Sequence, residues 1–145
     1  MTNDRTASRH GLAWVGLSLA LALHVADEAW NGFLSFYNPL VRRIREEIPL
    51  LPLPTFGFEL WLTGLALAVG ILLALSAAVF RGRRWTVPAS YVLGGFMCLN
   101  AFGHFGASMV YGRPMPGVCS SPLLLAAAVW LLVCARGRCG GTPLG

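Results

Sequence analysis

The chain has 145 residues, 56% of them hydrophobic and only 12% charged, with a mean hydropathy of +0.64. Soluble domains carry about 25% charged residues, so the composition argues against a soluble enzyme and for a single integral membrane domain. The net charge of +5 comes from eleven arginines and no lysine. Without an aromatic-interleaved basic patch or a glycine-rich phosphate loop, those arginines read as topology signals and anionic-lipid contacts, not as nucleic-acid or nucleotide binding.

A short N-terminal segment over 1–11, with Arg5 and Arg9, precedes the first apolar run, about 12–36. That basic flank and Ser18-Leu19-Ala20 resemble a signal peptide. The apolar run continues past the cleavage point, however, so a retained span is expected. The next segment, Leu40 to Ile48, alternates apolar and charged residues at helical spacing and predicts a short amphipathic helix lying in the membrane interface. Pro49, Pro52 and Pro54 end it. Three further spans follow at about 59–80, 87–110 and 117–135, each near the ~20 residues that a crossing needs. Pro88 suits a first helical turn, and Pro122 marks a possible start for the last span. The remainder, 136–145, is expected to be a flexible tail. The expected fold is therefore all-α: a four-helix transmembrane bundle with one interfacial helix between its first two spans.

Seven arginines lie in the N-terminus, the second connection and the tail, against four in the other two connections. Both termini are accordingly expected on the cytoplasmic side. Gly103 with Ala107, and Gly94 with Gly95, suggest close helix contacts. The five tryptophans suggest interface belts, and Glu59 an interfacial charge. Cys98, Cys119, Cys134 and Cys139 lack metal-ribbon or disulfide spacing and read as packing residues.

Polar residues inside the apolar runs carry the functional signal. His24, Asp27, Glu28 and Asn31 fall at i, i+3, i+4 and i+7, one face of a helix. Asn100, His104, Ser108 and Tyr111 form a second face on the third span. Each ionised group in hydrocarbon costs about 2.5–3.5 kcal/mol on insertion scales, so the two faces are expected to turn toward each other. The first and third spans run parallel, which matches His24 with Asn100, Glu28 with His104 and Asn31 with Ser108 by depth. His24, Glu28 and His104 form a workable ligand set for one divalent metal, zinc or iron. The same residues suit metal-free acid–base chemistry, or a structural network joining two helices.

These stretches carry a resemblance. His24-Val25-Ala26-Asp27-Glu28, then Asn100 to Ser108, then Pro116-Gly117 and an apolar last span, resemble the HXXEE family of small bacterial membrane proteins over about 21–132. Asp27 stands where the family name has Glu, which shortens its reach by one methylene. The resemblance implies an architecture, a site and a bacterial inner-membrane location, and no activity.

The leading expectation is a membrane-embedded enzyme for a lipid or other hydrophobic substrate. Glu28, His104, His24 and Asp27 would act as catalytic groups or ligands, with Asn31, Asn100, Ser108 and Tyr111 orienting substrate or ligands. The alternative is a non-enzymatic membrane module that passes protons or metal, or binds a partner, through a polar seam.

Overall fold

A computed structural model describes the backbone of residues 2–139 and the side chains of residues 5–138. It contains five α-helices: α1 (Thr2–Trp30), α2 (Phe33–Glu47), α3 (Phe58–Phe80), α4 (Thr86–Tyr111) and α5 (Ser121–Cys139), with no strand among the described residues. α1 packs against α3 and α5, and α5 packs against α4, so α1 and α5 form the centre. The buried face of α1 presents Trp14, Leu17, Leu21 and Val25 at intervals of three and four residues. Leu124, Ala127, Ala128 and Leu131 of α5 complete the core, with Val79 and Trp61 from α3 and Met97 from α4.

Small residues set the closest approach. A Cβ on Gly94 would lie 2.8 Å from Leu132 Cγ and 3.4 Å from the Ala128 carbonyl oxygen. Gly94 therefore makes the expected helix contact. Gly95 and Gly103 have open space beside them, so neither takes part in one. Two tryptophans also depart from the interface-belt expectation. Trp14 and Trp61 are buried, and Trp14 Nε1–H donates to the Leu72 carbonyl at 2.8 Å, fastening α1 to α3. A buried indole needs such a partner.

Helix boundaries differ from the expected spans where local chemistry intervenes. α1 begins at Thr2, and its helix stops at Trp30 rather than 36. The stop is Asn31-Gly32, where Gly32 takes a left-handed φ of 71°. The chain then restarts as α2 at Phe33, so the amphipathic helix is longer than the expected 40–48. Asn38 ties α2 to the following proline-rich loop through a reciprocal pair with the Phe56 backbone, at 2.9 and 3.1 Å. α5 starts at Ser121, beside Pro122, and stays helical to Cys139; the rest of the expected tail, 140–145, lies outside the described residues.

Among the described residues, three helices are long and apolar enough to cross a membrane: Arg5–Trp30, Phe58–Phe80 and Ser121–Arg138. Four were expected. The exception is α4, whose 26 residues include Thr86, Ser90, Asn100, His104 and Ser108. Those polar groups lower its hydropathy, yet Thr86, Ser90 and His104 are buried while Val92, Phe96, Leu99 and Val110 face outward.

α1 and α4 meet through polar side chains at two levels. His10 Nε2 lies 2.7 Å from Ser90 Oγ, and His24 and His104 rings sit 4.8 Å apart, edge to face. Both pairs join residues 80 apart in sequence, so the helices run parallel and in register. The sequence reading had no role for His10, because it fell in the segment placed before the first span.

Candidate metal or acid–base centre

The second level is the candidate site. The last turns of α1 carry His24 and Glu28 one turn apart on the face that meets α4. α4 supplies His104. All three are buried, at 1%, 4% and 7% relative exposure. Glu28 Oε1 lies 3.1 Å from His104 Nε2 and 3.6 Å from His24 Nε2. One ligand atom from each residue falls within 4.8 Å of the others, the spacing of a group able to hold a metal ion.

Two features fix the imidazoles. His24 Nδ1 lies 2.8 Å from Ser120 Oγ, which in turn donates to Asp27 Oδ2 at 2.6 Å. The Ser120 backbone N–H donates to the same oxygen at 3.0 Å, and Asn31 Nδ2 donates to Asp27 Oδ1 at 2.7 Å. Asp27 thus faces Ser120, outside the cluster of three. The short Asp side chain suits that role at position 27. His104 rests on Gly117, whose φ is 86°; a Cβ there would sit 2.6 Å from His104 Cε1. Phe33, at the start of α2, lies 5.8 Å from the His104 ring and stacks on Trp61 at 5.9 Å, closing the end of the site with aromatic surface.

A family model described as a protein of unknown function with HXXEE motif matches residues 15–131. The chain belongs to the HXXEE family. Neither the curated proteins nor the solved structures contain a significant match. The matched region spans α1 to α5 and holds every residue of the cluster. In this HXXEE chain the first motif residue, His24, and the last, Glu28, converge with His104.

The other expected site residues separate. Asn100 lies beside His24, and its buried Oδ1 has no hydrogen-bond partner. Ser108 instead accepts the Met115 N–H at 3.0 Å, bracing the loop before α5. Asn31 is exposed and closes the end of α1 through Asp27. Tyr111 is exposed and meets Phe36 edge-on at 5.1 Å. The observed register levels His24 with His104, one turn from the expected depth match, although Glu28 still reaches His104 and His24 lies beside Asn100; Asn31 and Ser108 each bond near their own helix end.

Ser120 and Gly117 were missed as site residues. Ser120-Ser121-Pro122 carries a helix-start signal, serine ahead of proline, which locates Ser120 at the mouth of α5 but does not reveal its partner. Ser120 is a positioning residue, and its loss tests that role. We expect Ser120→Ala to weaken divalent-metal binding by about 10–100-fold, the range for residues that orient a ligand. Ser120→Thr should restore it, because the hydroxyl returns. Unchanged affinity in Ser120→Ala, measured by calorimetric titration with zinc, would show that the relay does not orient His24.

Proposed function

We propose that this protein is a membrane-embedded enzyme in which His24, Glu28 and His104 hold one divalent metal, zinc or iron, and act on a lipid or another hydrophobic substrate. One observation carries the reading. Asp27, as a carboxylate, only accepts hydrogen bonds, so the Ser120 hydroxyl proton points to it. Ser120 Oγ is then free to accept from His24 Nδ1–H, which leaves the neutral ring with a lone pair on Nε2. That nitrogen is buried 3.6 Å from an oxygen of Glu28, with Asn100 beside the ring. Two acceptors facing each other in a buried site call for a cation between them.

A divalent metal supplies Lewis acidity and an acidified water. The chain's own groups do the rest. With His24, Glu28 and His104 engaged as ligands, Phe33 would shut out bulk water. A second reading is cofactor-free acid–base chemistry. Its support is the 3.1 Å separation of Glu28 and His104, a direct hydrogen-bond length. Passage of protons or metal across the bundle has weaker support. Leu17, Leu21 and Met97, whose positions fall between the His10 and His24 levels, are buried in the apolar core.

The proposed topology is four crossings with both termini cytoplasmic, in a bacterial inner membrane. The apolar outer face of α4 supports the fourth crossing. Arg138 Nη2 donates to the Gly82 carbonyl at 3.0 Å, which gathers the arginine-rich α3–α4 connection and the end of α5 at one end of the bundle.

The test is elemental mass spectrometry on the detergent-purified protein after metal-replete preparation, for wild type, His24→Ala and His104→Ala. A single zinc or iron per chain, lost in both folded variants, is the expected result. No metal in the wild type would sink the metal reading and leave the acid–base one.

A further inference from the structure

Beside the cluster lies a cavity of about 450 Å³ between the end of α1, α2 and the loop leading to α5. Its size is that of a small-molecule pocket, about 300–1,000 Å³. Asp27 forms part of its wall, so the cavity borders the Asp27–Ser120–His24 relay. Ser35, Phe36, Pro39, Leu40 and Arg43 line it from α2, at the three- and four-residue spacing of one helix face, with Gly32 just before the helix. Arg113 and Met115 line the opposite side.

The charges in this cavity are unbalanced. Among the described residues, neither Arg43 nor Arg113 joins an ion pair; the close ionic contacts are those of Glu28 with the two histidines. Asp27, the acidic group in the wall, already takes two donors from Ser120 and one from Asn31. Two arginines therefore line a shared space whose one acidic residue, Asp27, is already engaged by Ser120 and Asn31. Guanidinium recognises phosphate and carboxylate through paired N–H donors. Phe36, Leu40 and Met115 add apolar surface to the same space.

From this we infer that the cavity is the headgroup subsite of the neighbouring centre, and that it takes the phosphate or carboxylate headgroup of an anionic lipid on Arg43 and Arg113. The inference rests on the proposed function for its catalytic meaning, and it narrows the substrate class from hydrophobic molecules to anionic amphiphiles. An amphiphile seated this way has its polar end beside Asp27, next to the buried His24 and Glu28. α2, an amphipathic helix, places Arg43 and Phe36 at the same boundary between apolar and polar surroundings.

Native mass spectrometry of the full chain in detergent tests the subsite. The probes are phosphatidic acid, oleate, phosphatidylcholine and inorganic phosphate, and the variants are Arg43→Gln, Arg113→Gln and, as a control outside the cavity, Arg45→Gln. The expected result is a one-to-one adduct with phosphatidic acid or oleate, in preference to phosphatidylcholine. Affinity should fall about tenfold in each cavity variant, the size of one lost charge-assisted hydrogen bond, and stay unchanged in Arg45→Gln. Equal binding by the cavity variants, or an equal loss in Arg45→Gln, would overturn the inference. Displacement of the lipid by an equal concentration of inorganic phosphate would overturn the lipid assignment. Metal content measured on the same samples separates this inference from the functional one. Arginine variants that lose lipid but keep metal support the subsite independently of the metal centre, and a wild type that holds metal but shows no preference for the anionic lipids fails only the subsite. A wild type that binds lipid selectively but holds no metal fails only the metal centre.

Discussion

Glu28→Gln is expected to empty the site and leave the fold as stable as before, or more so. The carboxylate is buried, and two imidazoles lie against it, at 3.1 and 3.6 Å. Without a cation, that charge costs several kcal/mol in desolvation, and neutral imidazoles offset only part of it. Gln has the same shape, carries no charge, and its amide can hydrogen-bond either ring. Metal binding should be lost. Turnover of a hydrophobic substrate should fall by about 10²–10⁴-fold, the contribution of a positioned acid–base group. The melting temperature in metal-free detergent solution should hold steady or rise. A functional residue held at a cost to stability behaves in this way. If the variant instead unfolds, Glu28 is structural, because the network would then need its charge to join the helices.

Gly117→Ala should be the most damaging substitution outside the three candidate ligands. Two costs combine at this position. The φ of 86° strains any residue with a Cβ, and the new carbon would press on the His104 ring at 2.6–3.0 Å from three of its atoms. The backbone strain costs about 1–2 kcal/mol. Overpacking against a ring enclosed by Glu28, His24 and Phe33 adds about 1–3 kcal/mol. Gly112 provides the matched control, since its φ of 61° is similar but nothing lies within 4 Å of the added carbon. Gly112→Ala should therefore lose only the backbone part. Thermal unfolding of both variants checks this, with roughly 2–4 °C expected per kcal/mol. Equal losses would mean that His104 does not rest on Gly117.

Legibility in the sequence followed the range of the physics involved. The residues of the cluster could be found because helix periodicity places His24 with Glu28, and because buried charge demands a partner such as His104. The outlines of α3 and α4 were also legible, since their apolar patterns, broken in α4 by its polar stripe, end at proline- and glycine-containing connections. The end of α1 was misplaced by the apolar run to Phe36, which outweighed the Asn31-Gly32 turn signal inside it. Ser120 could not be found by periodicity. It lies 93 residues from Asp27 in sequence, in a loop, and its role arises from how α5 docks on α1. Gly117 stood in a recognised Pro-Gly pair, but only the docked His104 ring shows why a side chain there is excluded. His10 was overlooked because Arg5 and Arg9 beside it suggested an exposed tail, whereas α1 carries it into contact with Ser90.

The constant offset of 80 residues between α1 and α4 bears on how the chain assembles. The two polar levels are 14 residues apart on each helix, about 21 Å at 1.5 Å per residue. Sliding α4 by one turn, about 5.4 Å, would break both contacts at once. Inserting α4 in the opposite direction would allow at most one of them. The apolar surfaces between the levels tolerate many alignments; the paired latches accept one. If α4 crosses the bilayer as proposed, a misaligned α1–α4 pair would lose both contacts where water cannot replace them, so the two levels would also favour one insertion register.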